Sequence, residues 1–509
     1  MGKFNLVEEP WISVKMLDGR VKEMGLREVL IDSQNILAIE NTSPLVVAST
    51  YRLLLSIIYR ALKGPCSIRD AISLYKEGLA SKTTIIGNYL DQWAYRFNLI
   101  DEKFPFFQVA DYEPQSYRFW TAMASELNDD NSKVLFDHTN LMSLKPIEYK
   151  EAARWLLATQ TFSVGKGKSE FQYTKGAPSA SSIIFVIQGK NLADSLLLML
   201  YPYTSPEMQA NDVPVWERDP LSASVLKAGP KRDIQGYADL YTWMARSIRL
   251  FEESEGTILN IGLASGIDYE NPLGIEDPML AFRTDAKKGR RSLQFGERGL
   301  WRSFDSILPT GSSDSTLGII ENAATLHMDC DVRFAFSLNA MGQRNDKAKI
   351  EYWRWEKFTM PYEVITDKAA RGFVNSCIRL AEDIGQSMNS ACRFYARKML
   401  SPGEREADKK DVSSFVRSTT ALPDYWSLSE NEFNRLLAQI APDSNFDELG
   451  DRWRKSMTGA AWQSWNKFME SQVGARSIIA RVHAERTLAT LMKKAIGSLE
   501  GGAVFDRSH

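Results

Sequence analysis

DKAARGFVNSCIRLAEDIGQSMNSACRFYARKML, Asp367 to Leu400, reads as one continuous helix of up to about nine turns, and its length decides how the chain divides. Downstream, Glu430–Ile440, Phe446–Glu470 and Ala475–Ile496 supply three more helical stretches. SPGE (Ser401–Glu404) and an ALPD turn (Ala421–Asp424) separate them, and DVSSFVRSTTALP adds a fifth, short helix. In the last stretch Ile478, Val482, Leu488, Leu491 and Met492 recur close to the helical period. Four helical stretches with short connections predict an antiparallel four-helix bundle over residues 364–509.

Upstream the pattern is mixed. PWISVKMLDGRVKEMGL predicts a hairpin turning at Asp18-Gly19. VVASTYRLLLSIIYRAL sets Leu54, Ile57, Ile58 and Leu62 on one helical face. Lys82–Asn98 and Ile147–Phe162 are further helices, the second ended by Gly165 and Gly167. FVIQG reads as a strand, DLYTWMARSIRL as a strand or a short helix, and Gly256–Leu338 as mostly strand and turn. The fold class is therefore α+β: a mixed body with small sheets and helices over residues 1–363, followed by the helical domain.

The 509 residues carry 62 basic and 64 acidic side chains, a net charge of -2. That balance excludes a protein that coats nucleic acid nonspecifically, so any polyanion contact must come from local patches or from positive partners. Cys66, Cys330, Cys377 and Cys392 form no CxxC, and neither a disulfide scaffold nor a zinc site is expected. SIIFVI and LADSLLLML are too short or interrupted for a membrane span, and the N-terminus lacks the apolar run of a signal peptide. A cytoplasmic location with no membrane contact is the expectation.

No GxSxG, HExxH, Walker A or Rossmann fingerprint occurs, and no cofactor is expected. Asp137-His138 is a pair of acid-base type for which no nucleophile can be assigned. The neighbouring Phe136 is open to two readings, core packing or insertion beside bases. FSVGKGKSEFQYTKG holds Gly165, Lys166, Gly167 and Lys168, either an anion loop or a solvated one. TDAKKGRRSLQFGERGLWRSFD, Thr284 to Asp305, is unusually basic for this chain: from Arg283 to Arg302 seven basic residues face two acids. A salt-sensitive polyanion contact and an ordinary solvated face both fit that charge. GQRNDKAK, Gly342 to Lys349, is a second polar-basic turn.

Six short motifs in order carry a resemblance: NLVEEPWISV, FPFFQ, LFDHT, the Gly-Lys loop before SASSIIFVIQG, DAKKG and MGQRNDKAK. With them the chain resembles, over nearly its whole length, the large-subunit (CasA) family of the type I-E CRISPR surveillance complex Cascade. The resemblance implies a noncatalytic subunit that reads the protospacer-adjacent motif of double-stranded target DNA through the minor groove. It also implies help in opening the duplex for the crRNA held by other Cascade subunits, and in recruiting the effector helicase-nuclease. By the same resemblance Gly165–Lys168 approach the motif, and Lys288, with Lys287 as the register alternative, enters the minor groove. Arg290 and Arg291 meet the DNA backbone, Asn345, Asp346 and Lys347 form the strand-separating wedge, and Phe136 lies near the crRNA end or the motif. Some relatives use a glutamine as wedge, whereas here Gln343 falls three residues before Asp346. The alternative is a scaffold subunit that holds RNA and protein without reading the motif.

Overall fold

The structure, a computed structural model, describes residues 2–124, 126–127, 143–165, 170–171, 175–285, 289–308, 317–346, 349–401 and 405–500. The chain forms two compact units, residues 1–297 with 306–358, and residues 298–305 with 359–509.

Helix Pro44–Leu62 is the centre of the first unit. Ser43 caps it by accepting from the Val46 amide at 3.3 Å, and Pro44 occupies the first turn, where its missing N–H costs nothing. Every residue from Pro44 to Tyr59 is buried, so the sequence's single apolar face is a helix enclosed on all sides. By length and composition alone it could cross a membrane, but most of it lies inside this unit. Burying each large aliphatic side chain here contributes about 1.5–3 kcal/mol against the entropy of ordering. Around it pack helices Thr83–Trp93, Tyr149–Phe162 and Tyr237–Tyr241 and strand Phe336–Asp346.

The sheets are small. Ile12–Met16 pairs with Val21–Met24 and, on its other edge, with Ile36–Ile39. The hairpin turns at Asp18-Gly19 as expected, with Gly19 at φ 88°, a value that suits glycine. Phe336–Asp346 lies between Lys349–Met360 and Ile184–Gln188, and Arg246–Ser254 pairs with Thr257–Ser265. DLYTWMARSIRL is both things weighed: helix through Tyr241, strand from Arg246.

Two expectations need correction. Within the run read as strand and turn, Gly318–Asp329 is a helix that buries Ile319, Ile320, Ala323, Ala324 and Leu326, a helical spacing hidden among short strands. ALPD is no turn between helices. It opens helix Ala421–Gln439, where Pro423 sits in the first turn and gives up no helical hydrogen bond.

The second unit holds four long helices among the described residues: Lys368–Leu400, Ala421–Gln439, Phe446–Glu470 and Ala475–Glu500. The short helix Lys409–Ser418 is present as expected. Lys368–Leu400 packs against all four of the others. Asp367 caps it by accepting from the Ala369 amide at 2.9 Å. Gly385 is required midway along it, because a Cβ there would meet the Trp426 ring at 2.3 Å. Residues 298–305, from the basic stretch, belong to this unit: Trp301 is buried 5.1 Å from the Phe433 ring. Arg302 pairs with Glu382 (Nη2–Oε2 2.7 Å) and lies 3.3 Å over Trp426.

The cap of the central helix carries a proton-linked contact. The Ser43 hydroxyl donates to Glu126 Oε1 at 2.5 Å, while burial pushes that carboxyl up to about 7. The folded chain therefore holds this proton at pH values where an unfolded glutamate, near 4.5, has lost it. Stability contributed by the group is present below about 4.5 and is lost as pH rises toward 7. Glu126→Gln is expected to flatten the thermal midpoint across that window, and parallel wild-type and variant profiles would count against the assignment.

Candidate nucleic-acid interface

Of the residues singled out from the sequence, Phe136, Lys166, Gly167, Lys168, Lys287, Lys288 and Lys347 lie outside the described residues, as do Asp137 and His138. Gly165, Arg290, Arg291 and Asn345 are described, and Asp346 ends its strand. The residues flanking each predicted segment show how the segments are rooted.

The Gly-Lys segment follows helix Tyr149–Phe162; beyond it Glu170 accepts from the Tyr112 hydroxyl at 3.2 Å and the Phe171 ring lies 5.0 Å from that of Tyr112, before the chain reaches a neck at Lys175–Ala177. The Ala177 amide closes the neck by donating to Ser163 O at 2.8 Å. Beneath it, buried Arg246 donates to Val164 O at 2.6 Å and to Lys175 O at 3.0 Å, one carbonyl on each arm. Gln343 is wholly buried, and its amide donates to Phe162 O at 2.6 Å and Ala180 O at 2.9 Å. This glutamine is thus a tie between a strand and the loop neck, with no surface to offer a duplex.

The basic segment is a two-stranded hairpin, Phe282–Asp285 with Gly289–Ser292. Its return strand meets the strip Ala180–Ile183: the Ser292 and Ser182 hydroxyls are 2.7 Å apart, and the Ile183 amide donates to Leu293 O at 3.0 Å. The same strip holds the third segment, where the Ser181 hydroxyl donates to Asn345 Oδ1 at 2.5 Å. Arg344 reaches Phe295 O at 2.9 Å, and the Tyr352 hydroxyl reaches Gly296 O at 2.8 Å. Four consecutive residues, Ala180–Ile183, therefore join the roots of all three predicted segments.

Charge within the hairpin is unevenly available. Arg290 forks onto Glu276 (Nη2–Oε2 2.8 Å) and covers the Phe282 ring at 5.2 Å. Arg291 sits directly opposite Arg283 in the register, which concentrates positive charge on this hairpin. Arg283 donates to the Ser306 hydroxyl at 2.5 Å. Arg302, counted in the same basic stretch, is spent on Glu382 within the other unit. The residues sequence reasoning missed are the ties Ser181, Ser182 and Arg246, and it weighed Gln343 only against the wedge position. Nothing local marks them, since each acts on a partner distant along the chain.

A family profile for CRISPR-associated protein Cse1 matches residues 5–464. A CRISPR-associated protein CasA/Cse1 from Thermus thermophilus is 33% identical over 505 residues, spanning 96% of this chain and 97% of the relative. The structure of Thermus thermophilus CasA (Cse1) has a TM-score of 0.83 at 29% identity, covering 97% of this chain and 100% of that one. A chain from a CRISPR RNA-guided surveillance complex has a TM-score of 0.77 at 18% identity, covering 96% and 100%; that likeness is one of fold.

The tie made by Gln343 gives a direct test. Gln343→Leu keeps roughly the volume but strands two buried carbonyls, at about 1–3 kcal/mol for each unsatisfied group. Urea unfolding of the purified variant is expected to begin at lower denaturant. An unchanged profile would show that these two hydrogen bonds do not hold the neck.

Proposed function

The chain belongs to the CRISPR-associated Cse1 (CasA) family, and from that premise we propose that it is the noncatalytic DNA-reading subunit of an RNA-guided surveillance complex. Its task is to recognise a protospacer-adjacent motif in duplex DNA and to start local unwinding. The observation that supports this reading is a shared root: the basic hairpin and the Asn345 strand both hydrogen-bond to Ala180–Ile183, and Gln343 of that strand also grips Phe162 O, just before the Gly-Lys segment. Segments rooted on one strip can address one short stretch of groove together.

In this reading Gly165–Lys168 bring backbone and charge to the motif, and Lys288, or Lys287, enters the minor groove. The degenerate minor-groove pattern lets one lysine and a close backbone accept several related motifs. Asn345, Asp346 and Lys347 part the first base pairs, which nucleates pairing with the crRNA. Phe136 lies near the crRNA end or the motif. Arg291 meets the DNA backbone. Arg290 contributes less than its charge suggests, because Glu276 already neutralises it. The partners are the other subunits of the complex, crRNA, double-stranded target DNA and an effector helicase-nuclease that the helical unit helps recruit, all in the cytoplasm and away from membranes.

The test uses the assembled complex and a library of duplexes that differ only in the adjacent motif. Lys288→Ala is expected to bind the preferred motif about tenfold more weakly, and to rank the motifs differently, with assembly retained. Lys287→Ala serves as the register control. Unchanged affinity and ranking in both variants would refute the minor-groove role.

A further inference from the structure

FPFFQ, Phe104 to Gln108, takes no part in the motif-reading role, yet it lines a cavity of about 140 Å³ in the first unit. We propose that this cavity binds a pyrimidine nucleotide, its base among aromatic rings and its phosphate at an arginine cluster beside them, an inference independent of motif reading. The rings are those of Phe104, Phe106, Phe107 and Trp216. Phe97 backs them, stacked 5.1 Å from Phe106 and lying 5.1 Å from Trp216. Gln108 fixes the segment: its side-chain amide donates to Leu99 O at 2.7 Å, and its side-chain oxygen accepts from the Leu250 amide at 2.8 Å. Phe107 keeps a φ of 53°, a conformation that costs a bulky side chain energy and persists where the surroundings impose it.

Size selects the ring. A dry cavity of about 150 Å³ takes benzene, so a single six-membered ring fits here, and the fused second ring of a purine exceeds the space. Aromatic side chains offer such a base their flat faces. Charge selects what the ring carries. Arg96, Lys103, Arg218 and Arg232 line the same cavity, against one lining carboxylate, Asp219. Arg218 and Arg232 share the buried Asp239: Arg218 Nη2 lies 3.2 Å from Oδ1, and Arg232 forks onto the two oxygens at 2.7 and 2.8 Å. One carboxylate therefore answers two guanidiniums. Burial, opposed by Asp239 and joined by the Arg232 charge, lowers the Arg218 pKa, a cost that an entering anion offsets. Arg96 donates to Arg218 O at 3.0 Å and lies 5.0 Å over Phe104, so cation and ring meet at the cavity wall. A guanidinium has five N–H donors in a plane, which suits it to phosphate oxygens. An uncharged ring would fill the space and leave the surplus positive charge unanswered.

The purified full-length protein is titrated calorimetrically with thymidine monophosphate, thymidine, adenosine monophosphate and inorganic phosphate. Iododeoxyuridine monophosphate, whose iodine is the size of the thymine methyl, is photo-cross-linked and its attachment mapped by mass spectrometry. Thymidine monophosphate is expected to bind about tenfold more tightly than each of the others, with the cross-link on Phe104, Phe107 or Trp216. Arg96→Gln should weaken the monophosphate about tenfold and leave thymidine unchanged, whereas Phe104→Ala should weaken both. Lys103 is exposed, and Lys103→Gln keeps the charge testable should Arg96→Gln not fold. A short oligothymidylate separates the two sources of the same chemistry. Tighter binding with the same cross-link places an unpaired residue of a strand in the cavity, and affinity equal to that of the monophosphate assigns it to free nucleotide. No binding of either, equal affinity for adenosine monophosphate, or a cross-link confined to other residues overturns the proposal.

Discussion

The buried ion pair between Arg52 and Asp277 is the constraint on which the first unit depends. Arg52 sits in the middle of the central helix, 2% exposed, and Asp277 is 4% exposed. Two charges taken out of water cost several kcal/mol each unless every remaining lone pair and proton is used. Here Arg52 also donates to the Ser179 hydroxyl at 2.8 Å and lies 4.8 Å over the Tyr241 ring, and Asp277 accepts from the Met279 amide at 2.9 Å and the Tyr241 hydroxyl at 3.3 Å; only Arg52 Nε has no hydrogen-bond partner within this network. The pair therefore fixes two chain positions to one helix: Ser179, next to the strip Ala180–Ile183, and Asp277, a few residues before the basic hairpin. The Phe185 amide, donating to Met279 O at 2.9 Å, ties those two positions to each other. Removing either charge alone would leave the other buried without a partner, which costs about 3–5 kcal/mol.

Much of the fold was legible because periodicity reports burial. The long helix beginning at Lys368, the hairpin at Asp18-Gly19, the helix ending at Phe162 and the strand Ile184–Gln188 all follow from apolar spacing or turn chemistry. Helix Gly318–Asp329 was lost among strand signals because its apolar residues lie within a run whose other apolar stretches are short strands. Pro423 misled in a different way: a proline marks either a break or a first helical turn, and only the residues after it decide which.

The site was legible in its parts and not in its assembly. Composition pointed to Gly165, Arg290, Arg291 and Asn345 as members of three polar segments. No local feature shows that Ser181 and Ser182, in what reads as a bland SASS run, fasten two of those segments. Charge counting failed for a related reason. Glu276 and Glu382 lie outside the basic stretch, yet they bind Arg290 and Arg302 and cancel charge that the stretch displays in sequence. A run of arginines measures potential only after the folded partners have been subtracted.

That subtraction bears on how a chain with 62 basic and 64 acidic residues can serve a polyanion. Phosphate attraction grows with the number of available cations and is indifferent to their arrangement, and here acidic residues slightly outnumber basic ones. Groove reading has the opposite character: a small number of donors suffices, provided their spacing is fixed before binding, so that little ordering entropy is paid on association. The ties beneath the three segments are made chiefly to main-chain carbonyls and hydroxyls, groups that hold position without consuming charge. On the motif-reading proposal, selectivity is then this subunit's contribution, and bulk affinity falls to positive partners in the complex.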